Sequence, residues 1–203
     1  MSPRAGSSGI LRWANGSHVD EGLWIGGDLE ISDPELAAIQ LEELEAAGIT
    51  DIVDLRLEWN DADWVTVAKP SIRYRWFGVD DAGQRMPDEW FDISTSYVLT
   101  QLNSGGRVLV HCHMGINRGP SMGFAVMLVQ GWDPIEALDR IRERREIAYV
   151  GYAEDALDWW LRKNGATRTE LALGRQRIRQ WRRNNFLDVA AVIRKVRTCG
   201  GAP

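Results

Sequence analysis

The chain has 203 residues, 44% of them hydrophobic and 26% charged, enough apolar material for a full core and a length that fits one domain with modest appendages. No apolar run approaches the ~18 residues of a membrane-spanning helix, residues 1–9 lack the regions of a signal peptide, and the two cysteines, Cys112 and Cys199, do not make a disulfide framework. A reduced thiol and a cytoplasmic location are the expectation.

The formal charge of −5 conceals a division: residues 1–161 carry 13 Lys and Arg against 27 Asp and Glu, and residues 162–203 carry 11 against 2. A flexible leader (1–21), a main domain (22–162) and a basic helical C-terminal extension (163–203) are therefore expected.

The leader is rich in Gly, Ser and Asn and shows no sustained period. Leu23-Trp24-Ile25 is a short apolar strand. Asp33-Pro34 then caps and opens a helix that ends at Gly48. Residues 49–55 alternate and are β-branched, so they form a strand, which leads into a polar loop running through Pro70. A strand over 71–79 ends at Asp80-Asp81. Residues 87–103 carry apolar groups at helical spacing. The central strand, 107–111, runs into the segment HCHMGINR, and a helix that is apolar nearly all round follows from Pro120 to Gly131. Asp133-Pro134-Ile135-Glu136 caps another helix, and a further one spans 154–162.

Strands alternating with helices predict an α/β fold, a central and mostly parallel sheet with helices on both faces. Ligands of such sheets bind beyond the carboxyl ends of the strands, where Cys112 and Asp80-Asp81 both fall. A free thiol titrates near 8.5 and needs positive potential to ionise. The loop supplies it through the main chain of His113, Met114, Gly115, Ile116 and Asn117, the following helix N-terminus, and the charge of Arg118. Gly115 relaxes the backbone where the loop turns, and the planar fork of Arg118 suits two oxygens of a phosphate. Attack by Cys112 on phosphorus would form a phosphocysteine, with Asp81 or Asp80 protonating the leaving oxygen. That chemistry calls for no metal or other cofactor. His111 is expected to hydrogen-bond the loop and orient the cysteine, and His113 to face substrate or solvent.

HCHMGINR resembles the HCxxGxxR pattern of the cysteine-dependent dual-specificity protein phosphatases, within the protein tyrosine phosphatase superfamily. VDDAGQRMPDEWF upstream resembles that family's general-acid loop, and Arg144-Arg145-Glu146-Ile147 a segment its members carry after the next helix. The resemblance implies Cys112 as nucleophile, Arg118 as phosphate clamp and, by spacing, Asp81 rather than Asp80 as acid. It implies a phosphorylated protein as substrate, bearing phosphotyrosine and also phosphoserine or phosphothreonine. One position departs from the pattern. Gly119 stands where the family has Ser or Thr, whose hydroxyl assists departure of the thiolate, so slow turnover or a phosphoprotein-binding role is an alternative, with Ser121 as a candidate substitute. GINR also resembles the loop of RNA 5′-triphosphatases of the same superfamily, and phosphoinositides are a further substrate class.

The polar loop 58–64 is either a wall of the pocket or a solvated acidic loop. Residues 167–183 and 186–196 read as two amphipathic basic helices. They either pack on the acidic domain, in the same or a second copy, or bind RNA or an anionic membrane surface.

Overall fold

The structure is a computed structural model and describes residues 9–198. Its five-stranded sheet has the order β1-β2-β5-β3-β4. The strands are β1 (Gly16–Asp20), β2 (Leu23–Gly26), β3 (Asp51–Arg56), β4 (Arg73–Val79) and β5 (Val108–His111). β2, β5, β3 and β4 are parallel, and β1 pairs antiparallel with β2.

Alternation along the strands builds two cores. Trp24, Ile52 and Leu109 point toward α1 (Pro34–Ala46) and α2 (Ala62–Ala68), where they meet Leu41, Leu44 and Val65. Ile25, Val53, Val108 and Val110 point the other way. That larger core is roofed by α3 (Asp88–Asn103), α4 (Arg118–Val129), α5 (Pro134–Arg144) and α6 (Ala153–Lys163). α4 is buried from Arg118 through Leu128, which accounts for its lack of a polar face. Asp33 and Asp133 cap α1 and α5 through their side chains, each with Pro at the start of the helix.

Two expectations need correction. The leader was expected to remain flexible up to Gly22, yet residues 16–20 form β1 and Leu11, Ala14 and Val19 are buried. Only alternate residues of so short an edge strand face the core, so its pattern is weak. Residues 1–8 lie outside the described residues, as does Cys199. The polar loop contains α2, a seven-residue helix that buries only Val65. The basic extension is joined to the main domain by a shared core: α7 (Arg168–Asn184), opened by a Thr167/Glu170 capping box, inserts Ile178 and Trp181 into the larger core. Its arginines pair with carboxylates of the domain, Arg175 with Asp158, Arg177 with Asp133, and Arg179 and Arg182 with Glu154. α8 (Val189–Thr198) follows.

Candidate active site

Cys112 lies directly beyond β5 and is 3% exposed. The shape of the loop from Cys112 to Arg118 follows from where its carbonyls go. His113 O accepts from Asp28 N (3.1 Å), Met114 O from Arg145 Nη2 (3.1 Å), Gly115 O from Arg145 Nε (2.6 Å), Ile116 O from Tyr149 N (2.7 Å) and Asn117 O from Ser121 N (2.9 Å). Five successive carbonyls are thus drawn outward. Because each peptide is planar and trans, the amides of residues 114–118 are turned to the opposite, concave side. They form an anion nest at the N-terminus of α4. Gly115 has φ +64°, and a Cβ there would sit 2.6 Å from the Gly26 carbonyl and collide with the Arg145 guanidinium.

Arg145 is buried and also donates to Asn15 O (3.1 Å), Asn15 Oδ1 (2.9 Å) and Ser17 Oγ (3.3 Å). Burial pulls its pKa down to about 10, partly offset by the charge of Cys112. It remains a cation at neutral pH, beneath the loop.

The donors of Arg118 are apportioned. Glu58 takes a bidentate pair, Nη1 to Oε2 at 2.9 Å and Nη2 to Oε1 at 3.0 Å, and Val79 O takes Nη1 at 2.9 Å. The Nε–H and the second Nη2–H are left, and together they form the edge of the guanidinium that matches two phosphate oxygens. Asp81 Oδ2 stands 3.4 Å from Nε. Asp81 Oδ1 accepts from both Asn117 Nδ2 and Tyr152 Oη at 2.7 Å, so Oδ2 is the oxygen with capacity for a transferable proton. Burial, then the hydrogen bond to Asp81, pushes the Tyr152 phenol far up, and it stays a donor. The Asp80 carboxylate accepts the Asp81 amide (2.8 Å) in the exposed turn, which separates the two aspartates.

His113 Nδ1 lies 2.7 Å from Asp28 Oδ2, and its ring meets Trp59 edge-on at 5.4 Å between centroids. The hydrogen bond to Asp28 raises its pKa despite desolvation. His111 departs from expectation: its ring is buried with neither nitrogen in hydrogen-bond reach of the loop, and its nearest charged neighbour is Asp54 Oδ1 at 3.7 Å. Strand alternation turns it away from the cradle and toward the Arg56 cluster, and burial depresses its pKa. Ser121 Oγ accepts the Tyr152 amide at 3.2 Å, tying α4 to the start of α6. At Gly119 a Cβ would lie 3.3 Å from Val110 O and 3.5 Å from Cys112 N.

The structure brings the loop, Arg118, Asn117 and Asp81 together. Asp28, Asn15 and Tyr152 were not singled out, and Glu58 was read only as part of the polar loop 58–64. Glu58 and Asp28 each follow the carboxyl end of a parallel strand, the address at which sites of such sheets assemble, and that position was the available signal. Nothing local distinguishes Asn15 or Tyr152.

The family model described as "Dual specificity phosphatase, catalytic domain" matches residues 35–153, more than half of the chain. The chain belongs to the dual specificity phosphatase family. Among curated members, Dual specificity protein phosphatase 1B of Arabidopsis thaliana is 27% identical over 137 residues, covering 66% of this chain and 73% of its own. Tyrosine-protein phosphatase yvh1 of Schizosaccharomyces pombe is 30% identical over 77 residues, 37% of this chain and 23% of its own, and mouse Dual specificity protein phosphatase 2 is 30% identical over 108 residues, 53% and 32%. The chain thus spans a third or less of the length of those two relatives. Human DUSP28 shares the fold at a TM-score of 0.60 and 17% identity, covering 74% of this chain and 95% of that one. The crystal structure of PTPMT1 in complex with PI(5)P does so at 0.61 and 16%, covering 74% and 97%. The cradle thus surrounds Cys112 with inward-turned amides and places the Asp81 carboxyl group beside Arg118.

Proposed function

We propose that the protein hydrolyses phosphate monoesters on proteins, phosphotyrosine and also phosphoserine or phosphothreonine, through a phosphocysteine. The observation that carries this reading is the cradle: amides of residues 114–118 turned inward around Cys112, with the free edge of Arg118 on its rim. The Cys112 thiolate attacks phosphorus, the P–O ester bond breaks, and the departing oxygen takes the proton held on Asp81 Oδ2. Arg118 and the loop amides neutralise charge on the equatorial oxygens as they spread in the transition state. Water then attacks the phosphocysteine, Asp81 removes its proton, and inorganic phosphate and the thiolate are regenerated. Tyr152 and Asn117 hold Asp81 in place for both steps. Gly119 brings no hydroxyl beside the sulfur, so breakdown of the intermediate is the slow step.

The test is release of phosphate by the purified protein from p-nitrophenyl phosphate, phosphotyrosine and phosphoserine/phosphothreonine peptides, triphosphate-ended RNA and phosphoinositides, with Cys112→Ser and Asp81→Asn alongside. Release from phosphopeptides that disappears in Cys112→Ser is expected. Faster release from RNA or lipid would reassign the substrate, and retained activity in Cys112→Ser would remove the mechanism.

A further inference from the structure

At the end of the sheet opposite Cys112, where β2 and β5 begin, lies a cavity of about 730 Å³ lined by His18, Glu21, Trp24, Leu102, Arg107 and Arg144 together with four glycines. β5 connects the two ends, with Arg107 just before the strand and Cys112 just after it, about 16 Å apart along the strand at ~3.3 Å per residue. The cavity is therefore separate from the catalytic loop. It is within the ~300–1,000 Å³ range of small-molecule sites.

Its charge is the unusual feature. In residues 1–161 acidic side chains outnumber basic ones two to one; buried Arg145 spends its donors on carbonyls, Asn15 and Ser17, while buried Arg56 and Arg118 pair with carboxylates. Arg107 and Arg144 do not. Among the described residues the exposed guanidinium of Arg107 donates only to the Ala47 carbonyl (2.6 Å), and the buried Nε of half-buried Arg144 meets no acceptor. His18 registers the same field, since burial and then Arg140, Arg107 and Arg144 lower its pKa, against Asp20, which raises it. Trp24, 5% exposed, packs at 5.0 Å from the His18 ring, and its indole N–H is buried without an acceptor. Two unneutralised guanidinium groups beside an aromatic and aliphatic wall match a ligand with an anionic head and an apolar or aromatic body. Guanidinium forks favour a phosphate in that position.

We propose that this cavity is a second ligand site, taking a small organic phosphate whose phosphate sits between Arg107 and Arg144 and whose body lies toward Leu102 and Trp24. Glu21 on the rim opposes binding and sets a preference against more highly charged anions.

The experiment is calorimetric titration of the full chain carrying Arg118→Ala, which disables the catalytic cradle, with AMP and with inorganic phosphate as probes. The parent is expected to bind AMP more tightly than phosphate, which separates an organic phosphate from the free ion. Adding Arg107→Gln or Arg144→Gln should weaken AMP by about tenfold or more each, the loss of a charge-assisted contact, and adding Glu21→Gln should tighten it. Failure of AMP to bind the Arg118→Ala protein, affinity unaffected by both arginine changes, or weaker binding in Glu21→Gln would each overturn the proposal. None of these outcomes bears on the catalytic reading, because the background is already disabled there and the three other positions lie outside the catalytic machinery.

Discussion

Arg118 has five N–H donors, and the three spent on Glu58 and Val79 fix the plane in which the remaining two lie. Glu58→Gln keeps the shape but loses the charge that locks this plane. The KM for p-nitrophenyl phosphate should rise about tenfold with a smaller change in kcat, measured by steady-state kinetics. Arg118→Lys replaces the fork with a point charge, and kcat/KM should fall by roughly 10²- to 10³-fold. Asp81→Asn should slow the reaction by about 10²-fold or more for a poor leaving group such as an alkyl alcohol and far less for p-nitrophenol, which departs without a proton. A loss independent of the leaving group would remove Asp81 from the role of acid. At Gly119 the neighbouring Val110 carbonyl must give by a few tenths of an ångström to admit a Cβ. Rapid-quench assays should show a burst of alcohol release approaching one equivalent in the wild type, and Gly119→Ser should shrink that burst by speeding the second step.

At the scale of elements, the catalytic loop is held by groups from both ends of the chain, through Arg145 after α5 and Asn15 before β1. Gly115→Ala places a methyl group against Arg145 and the Gly26 carbonyl at a positive φ. It should lower stability by ~2 kcal/mol or more and abolish oxyanion binding, checked by urea denaturation and vanadate inhibition. α7 contributes to the core, so Trp181→Ala should cost ~3–5 kcal/mol, a scale at which removal of the basic extension is expected to unfold the protein rather than merely alter its targeting. These elements also mark what was legible in advance. The nucleophile, clamp and cradle occupy seven contiguous residues; α1 and α5 announce themselves by side-chain caps and α4 by an apolar run. β1 and α2 are short and bury few side chains, so periodicity barely registers them. Glu58, Arg145 and Tyr152 join the site through tertiary packing, which local pattern does not encode; the first was visible only as part of a polar loop and the second only through resemblance.

Across the whole molecule, Arg56 is a fully enclosed charge, bonded to Asp54 (2.8 Å), Asp61 (2.6 Å) and Asp28 (3.3 Å). Breaking such a buried group on one side only, as in Arg56→Met, should cost ~3–5 kcal/mol. Its surroundings also give stability a pH dependence. His111 has a folded pKa below its unfolded value because of burial, so the unfolded chain takes up the proton first and stability falls as pH drops below about 6.5. Asp51 and Asp54 are depressed as well: burial opposes the shift, but Arg73 at Asp51, and His111 with Arg56 at Asp54, outweigh it. Their contribution is present above the unfolded carboxylate value and is lost below about pH 4. His113 has the opposite sign, because Asp28 raises its pKa and its contribution fades as pH rises through that value. Urea midpoints measured against pH should therefore decline in two stages on acidification. His111→Gln should shrink the first stage, to which His18 also contributes, and His113→Gln should steepen it.

Arg145 reaches back across 130 positions to Asn15 and across 31 to the Met114 carbonyl. Until the edge strand and the turn after α5 have both docked, the carbonyls of Met114, Gly115 and Ile116 are not held outward and the amides have no common focus. Competence to bind an oxyanion is thus acquired at the last stage of assembly, and it works in reverse as well: any oxyanion that occupies the loop favours only the fully assembled chain, by RT ln(1 + [L]/Kd), and so acts as a ligand of folding itself. In refolding, the recovery of vanadate binding should trail the recovery of helical signal.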